Sequence, residues 1–342
     1  MKILITGGCG FVGSNIAIFL KKRIKNLKIS SLDNLNRNGS KINLSRLKKN
    51  GINNFKVNIE DYKKLNLLPK YDLVIDCCAE PAIEASLKDV DRVFNSNLVG
   101  TFNILKKCLR DKSNLIFLSS SRVYSINALR KIINKKKLKS VLNINKTINE
   151  NFETADPSSL YGFTKISSEK LIKEMFFNTN LKYIINRFGV IAGPWQFGKQ
   201  DQGFVSLWIA RHILKKNLKY IGFGGTGHQI RDVLHINDVC DLILLQIRRL
   251  KIIYNDTFNV GGGLKNKISL KDLTLKCQFL IKRKIKIKKI SRTSIFDIPY
   301  YVTDNRKIKK VYNWEPKLNI NIVLSDIYKW LKSNNKLLNY FK

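Results

Sequence analysis

The sequence predicts an α/β fold with a doubly wound parallel sheet and a smaller C-terminal lobe that is interleaved with it. Short apolar segments alternate with helical patterns along the first half of the chain, which is typical of βαβ units. The early strand segments are almost continuously apolar, as expected for strands covered on both faces. After about residue 189 the glycine and aromatic content rises and the alternation ends, which indicates a second lobe.

Each element is placed by its own pattern of apolar residues. Compact apolar segments predict strands at 2–6, 28–32, 55–57, 73–77, 115–119 and 183–187. Apolar residues at helical spacing predict helices at 11–25, 91–109 and 159–177. We expect a nucleotide-binding domain over 1–188 with a returning segment near 232–262, and a substrate-binding lobe made of 189–231 and 263–342.

Composition excludes several classes of protein. The chain has 342 residues, of which 44% are hydrophobic, and this is enough for a packed core. No segment of about 18 uncharged apolar residues occurs, so no membrane-spanning helix is expected. The N-terminal apolar segment is only as long as a strand, and the six cysteines lack metal-binding spacing. We therefore expect a cytoplasmic enzyme without a signal peptide or a metal.

The strong positive charge raises the question of a nucleic-acid partner. Lys and Arg number 63 against 25 Asp and Glu, a formal charge of +38. The lysines are spread along the chain, with denser stretches only at 135–139 and 282–289. Because the lysines are not gathered into one stretch, we expect no polynucleotide partner. The positive surface potential would instead speed the arrival of a small anionic substrate. A non-catalytic NAD-binding relative that forms an assembly or binds RNA stays an alternative.

A dinucleotide site is predicted at the N-terminus. The first strand leads directly into a glycine-rich loop, Gly7 to Gly13, and a helix follows. Such glycines permit a tight turn and a close approach to a pyrophosphate, which the helix amides then bind. Asp33 ends the second strand, where an acid accepts hydrogen bonds from the ribose hydroxyls and repels a 2′-phosphate. This predicts a Rossmann domain that binds NAD, although Arg37 nearby leaves a 2′-phosphate possible.

Three residues carry the predicted chemistry. Ser120 follows a strong strand, and Tyr161 and Lys165 are four residues apart on a helix, so the last two share one face. An ammonium group and a cationic nicotinamide ring next to the phenol stabilise its deprotonated form. Tyr161 can then remove a proton from a substrate alcohol while a hydride moves to NAD⁺. Ser120 is placed to hydrogen-bond the same oxygen.

With these motifs the chain resembles the extended short-chain dehydrogenases/reductases, the family of NAD-dependent nucleotide-sugar epimerases and dehydratases. The likeness covers essentially the whole chain, up to the Trp-Glu-Pro stretch at 314–316. Ser120, Tyr161 and Lys165 fall on the family's catalytic positions. The resemblance implies cofactor-binding roles for those last two residues and for Gly7, Gly10, Phe11, Val12, Gly13, Asp33, Asn34, Arg37, Asn58, Ile59, Cys78, Ala79, Glu80 and Asn97.

Within the family, the chain is similar to the CDP-paratose 2-epimerase group. The similarity lies in four stretches, 78–81, 121–124, 192–203 and 227–235. It implies inversion of C2 of a CDP-6-deoxysugar through a 2-keto intermediate and hydride return, in polysaccharide (O-antigen) biosynthesis. Substrate-binding roles are implied for Arg122, Gln196, Gln202, Arg231 and Arg292. A UDP-sugar 4-epimerase, which shares the catalytic residues, stays an alternative.

The chain departs from the family pattern at three places. Asn58 stands where relatives carry an Asp that touches adenine, and Gly189 replaces an Asn that contacts substrate. Ser121 and Arg122 stand where the dehydratases carry an Asp-Glu pair. Because elimination of water needs that acid, the 4,6-dehydratase activity is disfavoured.

Two further expectations concern assembly and access to the site. Relatives pair through two helices, here 91–109 and 159–177, so a homodimer or homotetramer is expected by resemblance. The Lys- and Asn-rich insertion at 126–157 is long enough to be either a lid over the substrate or solvent-exposed padding.

Overall fold

The computed structural model describes residues 1–81, 89–133, 144–154, 159–199 and 202–342. Two compact units are present, and both are built from separated stretches of the chain. The first unit comprises Met1–Val123, Ser159–Arg187 and Val239–Phe258. The second unit comprises Tyr124–Ser158, Phe188–Asp238 and Asn259–Lys342.

The division differs from the expected one in the region after Val123, which belongs to the second unit. Contacts within that unit explain the difference. The Tyr124 hydroxyl donates to Asn259 Oδ1 at 2.6 Å, and Ile148 pairs with Thr303 in an isolated β-bridge. The returning segment of the first unit is Val239–Phe258, shorter than the predicted 232–262. Residues 134–143 and 155–158 of the predicted insertion lie outside the described residues.

The strands and helices are numbered in chain order. The strands are β1 (Lys2–Thr6), β2 (Lys28–Leu32), β3 (Asn53–Phe55), β4 (Leu73–Asp76), β5 (Asn114–Ser120), β6 (Tyr183–Phe188), β7 (Val190–Ala192), β8 (Leu218–Ile221), β9 (Ile230–His235), β10 (Asp256–Val260), β11 (Lys267–Ser269), β12 (Ile287–Ile290) and β13 (Tyr300–Tyr301). The helices are α1 (Phe11–Arg23), α2 (Ser40–Lys49), α3 (Tyr62–Asn66), α4 (Val90–Phe94), α5 (Gly100–Asp111), α6 (Ile126–Lys131), α7 (Leu160–Phe176), α8 (Phe204–Ile213), α9 (Ile236–Arg249), α10 (Leu270–Ile281), α11 (Arg306–Tyr312) and α12 (Ile320–Ser333).

The predicted doubly wound sheet is confirmed. Seven strands follow the order β10-β6-β5-β4-β1-β2-β3, and the pairings from β3 through β5 are all parallel. The apolar residues of β1 are fully buried because helices cover both faces of such a sheet. The carboxyl ends of parallel strands lie at one edge, and ligands bind there in open α/β sheets.

The helix expected at 91–109 is divided. It consists of α4, a π-helical segment at Asn95–Val99, and α5. Single π-helical turns inside α-helices are frequent at functional sites, and this one contains the predicted cofactor residue Asn97. The helix expected at 159–177 is α7, where the Ser159 side chain caps the N-terminus by accepting a hydrogen bond from Gly162 N at 3.1 Å.

The second unit has a smaller mixed sheet and its own core. Strand β9 pairs in parallel with β7 and β13 and antiparallel with β11, while β8 and β12 form a separate parallel pair. Helices α8 and α12 contribute Trp208 and Trp330 to a buried apolar cluster that also includes Phe341. The rise in glycine and aromatic content after about residue 189 therefore coincides with a different arrangement of strands and helices.

Candidate active site

The glycine-rich loop between β1 and α1 has room only for glycine at its turning points. Gly7 has a φ of 59°, which favours glycine, and a Cβ at Gly13 would lie 2.5 Å from Gly7 O. Gly10 occupies the N-cap of α1 and brings no side chain to satisfy the amides of Phe11, Val12 and Gly13. These features fit a bound diphosphate, because the glycines bring no side chains between a ligand and the backbone, and the helix N-terminus attracts anions.

Asp33 lies directly beside that loop, one residue beyond β2. Its Oδ2 accepts a hydrogen bond from Cys9 N at 3.0 Å and its Oδ1 accepts one from Leu35 N at 2.8 Å. Burial raises the pKa of Asp33, and these backbone N–H groups oppose that rise. The neighbouring Asn34 side chain accepts from Asn36 N at 3.1 Å. The acid is therefore held at the glycine loop, which is consistent with its predicted contact to a ribose.

The loop after β4 closes the other side of the glycine loop. A Cβ at Gly7 would lie 2.9 Å from Cys77 O, so the two backbones are in close contact. Burial raises the pKa of the Cys78 thiol well above its usual range and that of Cys9 to about 12. These cysteines are neutral at physiological pH, which favours packing beside the cofactor site over nucleophilic chemistry. Ala79 follows Cys78 and is half-buried.

The residues predicted to contact adenine occupy two different environments. Asn58 is exposed, and its carbonyl accepts a hydrogen bond from Asp61 N at 3.0 Å. Ile59 is buried, and a Cβ at Gly100 would lie 2.6 Å from Ile59 Cγ2. Close packing therefore explains why glycine occupies position 100, because a larger residue would displace Ile59 and the loop after β3.

Asn97 is fully buried and joins three parts of the first unit. Its Oδ1 accepts a hydrogen bond from Glu80 N at 2.7 Å, and its Nδ2 donates to Glu80 O at 3.1 Å. The same Nδ2 lies 3.2 Å from Thr164 Oγ1, on the helix that carries Tyr161 and Lys165. Through these hydrogen bonds Asn97 holds the loop after β4 against α7.

The predicted catalytic residues lie at the carboxyl end of β5 and on α7. Ser120 is the last residue of β5, and its Oγ accepts a hydrogen bond from Arg122 N at 3.1 Å. Lys165 is buried, its Nζ donates to Leu118 O at 3.0 Å, and it lies 4.4 Å above the Phe117 ring. The ammonium group therefore reaches the strand that carries Ser120. Tyr161, one turn earlier on α7, is 8% exposed.

Two buried acidic groups near these residues escaped the sequence analysis. Glu169 follows Lys165 by one helical turn and pairs with Arg187 on β6, with Oε2 at 2.7 Å from Nη2. Ser119 donates to the same carboxylate, so this ion pair joins α7 to β5 and β6. The only sequence signal was an acid at i+4 from Lys165 on the buried face of a helix.

The second acidic group is Asp76, the last residue of β4, which is fully buried. Its Oδ1 accepts hydrogen bonds from the Thr6 hydroxyl and from Cys78 N, the latter at 3.1 Å. The described part of the chain offers Oδ2 no hydrogen-bond partner. Burial raises the pKa of Asp76, while the nearby charge of Lys165 lowers it. A charged residue in an otherwise apolar strand was the available signal.

We expect Asp76→Asn to stabilise the fold more at pH 7 than at pH 4. Because burial raises the folded-state pKa of Asp76, the folded state holds this proton more tightly than the unfolded chain does. Stability is therefore lost as pH rises above the unfolded-state pKa of about 3.9. Asparagine keeps the acceptor for Thr6 and Cys78 but does not ionise. Urea unfolding at both pH values measures the difference, and an equal difference at the two values would contradict the argument.

The predicted substrate residues lie in both units. Arg122 follows β5 in the first unit, while the other four belong to the second. The Arg231 guanidinium donates to Ile230 O at 2.6 Å and to Ile298 O at 2.8 Å, so backbone carbonyls help to orient it. Arg292 is exposed, just beyond β12.

Gln196 is engaged within its own loop. Its Nε2 donates to Ile191 O at 3.0 Å, and its Oε1 accepts from the Ser206 hydroxyl at 2.5 Å. The backbone of Gln202 exchanges hydrogen bonds with that of Lys199. This favours a structural role for the Gln196 amide, because both of its ends already have partners, and a substrate contact would require the amide to exchange one of them.

Two negative findings apply to the described residues. No helix within 1–81, 89–133, 144–154, 159–199 and 202–342 is both long and apolar enough to cross a membrane. Across that same part of the chain, no group of three or more His, Cys, Asp or Glu side chains is arranged to hold a metal ion.

Comparisons with known proteins show which family the sequence matches. A model of the NAD dependent epimerase/dehydratase family matches residues 3–261. The chain is 28% identical over 344 residues to CDP-paratose 2-epimerase of Salmonella typhi, covering 97% of this chain and all of that enzyme. It is 28% identical over 352 residues to UDP-glucuronate 4-epimerase of Thermodesulfobacterium geofontis, covering 99% and 98% of the two chains.

A solved structure shows the same fold. The crystal structure of UDP-glucuronic acid 4-epimerase from Bacillus cereus, in complex with UDP-glucuronic acid and NAD, aligns with a TM-score of 0.82. The identity is 22%, and the alignment covers 98% of this chain and 100% of that one.

Proposed function

This chain belongs to the NAD-dependent epimerase/dehydratase family, as its motifs predicted, and on that premise we propose that it is a nucleotide-sugar epimerase that inverts C2 of a CDP-6-deoxysugar. The observation that most supports epimerase activity is the hydrogen bond from Lys165 to Leu118 O, near the end of β5, the strand that ends at Ser120. The choice of CDP-6-deoxysugar and of C2 is supported by the full-length similarity to CDP-paratose 2-epimerase and by the stretches at 192–203 and 227–235.

The protein residues divide the work of such a reaction. The glycine loop and the N-terminus of α1 bind the diphosphate of NAD, and Asp33 binds a ribose. NAD, when bound there, would supply the hydride-transfer chemistry at the sugar carbinol. Ser120 orients the sugar hydroxyl, and Tyr161 removes and later returns its proton. Lys165 lies on the same helix face as Tyr161, with its ammonium group held at Leu118 O.

A dehydratase activity is not supported by the residues that follow Ser120. Elimination of water needs a general acid that protonates the leaving hydroxyl. Ser121 and Arg122 occupy the positions where the dehydratases carry acids, and neither residue can supply that proton at neutral pH. Oxidation followed by hydride return needs no such acid, so the residues present suffice for epimerisation. Arg122 is instead suited to contact an anionic substrate.

Incubation with a panel of CDP- and UDP-sugars in deuterated water tests the proposal. NMR is expected to show inversion at C2 of a CDP-6-deoxysugar without solvent deuterium at that carbon, because the hydride returns from the cofactor. Inversion at C4 of a UDP-sugar would replace the proposed substrate with that of a UDP-sugar 4-epimerase. Deuterium at the inverted carbon would indicate a carbanion route and contradict the mechanism.

We propose that the protein assembles as a homodimer through α5 and α7. Several large apolar side chains on and beside these helices are exposed in the first unit: Phe94, Phe102, Leu109 and Phe163. Phe102 and Leu109 are two turns apart on one face of α5, which is the pattern of a helix that packs against a partner.

Phe102→Glu is expected to convert the dimer to a monomer, because it places a charge in the apolar contact. Light scattering after gel filtration measures the mass. Phe279→Glu is the matched control, because Phe279 is 88% exposed but lies on α10 of the second unit. A Phe102→Glu protein that keeps the mass of the unchanged protein would exclude this face as the interface.

A further inference from the structure

Glu80 forms the centre of an ion-pair cluster at the edge of the cofactor site. Its side chain is 8% exposed, and each carboxylate oxygen accepts from a different guanidinium group. Oε1 lies 3.0 Å from Arg37 Nη1, and Oε2 lies 2.6 Å from Arg92 Nη2. Ion pairs to a carboxylate that is largely removed from water are stronger than exposed ones, because solvent screens them less.

The order of the strands places the Arg37–Glu80 pair across the glycine loop. Strand β1 lies between β4 and β2 in the sheet, and the glycine loop follows β1. Arg37 comes after β2 and Glu80 comes after β4. Because the carboxyl ends of these parallel strands lie at one edge, a side-chain bridge between the two outer loops must cross the edge where the central loop lies.

The backbone at Glu80 is fixed to the catalytic helix. Both its N–H and its carbonyl are hydrogen-bonded to the side chain of Asn97, which also contacts Thr164 beside Lys165. The Glu80 carboxylate therefore projects from an anchored backbone. Arg37 follows β2, on the opposite side of the glycine loop, and its carbonyl accepts hydrogen bonds from the backbone N–H and the hydroxyl of Ser40.

We propose that Glu80 is a positioning residue that holds Arg37 across the glycine loop and so retains the bound dinucleotide between turnovers. The inference rests on NAD binding, and it gains its purpose from the proposed epimerisation. Because an epimerase returns its hydride to the same sugar, its cofactor has no need to leave. The pair also engages Arg37, so this guanidinium is not offered to a 2′-phosphate as an isolated cation.

The rate of cofactor release tests the proposal without any sugar present. Protein loaded with a fluorescent ethenoadenine analogue of NAD is mixed with excess NAD⁺, and the loss of bound probe is followed with time. Glu80→Gln is expected to release the probe at least about 10-fold faster, since one charge-assisted interaction of ordinary strength is worth about a factor of 10. Arg37→Gln is expected to match it, and the double variant to be no faster than either single one.

The release rates of the variants and of a control decide whether the bridge retains the dinucleotide. Release from Glu80→Gln at the unchanged rate would overturn the proposal, as would a double variant whose acceleration is the product of the single ones. Glu174→Gln is the matched control, because Glu174 is an exposed acid near the C-terminal end of α7. Release from it at the original rate supports a specific bridge, whereas equal acceleration would show a general charge effect. If the protein epimerises no sugar and Glu80→Gln still releases the probe faster, the proposed sugar reaction is refuted and the bridge is not.

Discussion

Replacement of Tyr161 by Phe is expected to lower the epimerisation rate by about 100-fold or more while NAD stays bound. The change removes one hydroxyl from a side chain that is 8% exposed, so the ring continues to fill its place. What is lost is the group that takes the proton from the sugar alcohol, and general acid–base contributions are typically 10²–10⁴-fold. Turnover is measured by NMR with the sugar that the substrate panel identifies, and bound NAD by its release on denaturation.

Tyr183→Phe provides the matched control for that substitution. Tyr183 is another largely buried tyrosine of the first unit, packed edge-on against Phe176 at 6.1 Å between ring centroids. It lies at the start of β6, the end of the strand opposite to the predicted site. Its loss of a hydroxyl is expected to leave turnover unchanged. Near-normal turnover in the Tyr161→Phe protein would remove Tyr161 from the proposed role.

The glycine loop and the position of Asp33 beside it could be predicted because their signals are local in sequence. A strand, a glycine loop and a helix must follow one another, and the acid after the second strand is positioned by sheet geometry alone. The same holds for Tyr161 and Lys165, whose spacing on a helix determines that they share a face. Such arguments need no knowledge of which residues pack together across the fold.

The supporting groups could not be predicted, because they depend on packing between distant segments. Asp76 stands in an apolar strand and Glu169 on the buried face of a helix, but the partners that hold them, Thr6 and Arg187, come from distant segments. Glu80 was expected at the cofactor, yet its engagement with two arginines required the strand order. Gln196 shows the opposite case, because a motif residue expected to bind substrate is engaged by its own loop.

The division into units was also beyond the sequence. The stretch after Val123 follows directly from β5, so its continuity with the nucleotide domain was the natural expectation. Its membership in the second unit follows from contacts over long sequence distances, such as the Tyr124–Asn259 hydrogen bond and the bridge from Ile148 to Thr303. Long-range pairings of this kind leave no periodic trace in either segment.

Glu169→Ala is expected to cause the largest loss of stability among these variants, about 3–5 kcal/mol. The side chains of Glu169 and Arg187 are 1% and 8% exposed, so the substitution leaves a buried guanidinium without its carboxylate. Arg187 holds Glu169 through several hydrogen bonds, with Nε at 3.0 Å from Oε1 and Nη2 at 2.7 Å from Oε2. Because the whole fold is worth only about 5–15 kcal/mol, the variant protein will be marginal. Urea unfolding followed by circular dichroism measures the loss.

The double variant Glu169→Met, Arg187→Met distinguishes the loss of the whole ion pair from the cost of leaving one charge buried alone. Replacing both charges with apolar side chains removes the uncompensated charge, and such exchanges are often neutral or stabilising. All proteins in this cycle should carry Ser119→Ala, because the Ser119 hydroxyl donates to Glu169 and would otherwise lose its acceptor. We expect each single variant to be far less stable than the double. Single variants as stable as the double would mean that water reaches the guanidinium and that α7 is not held to β6 by this ion pair.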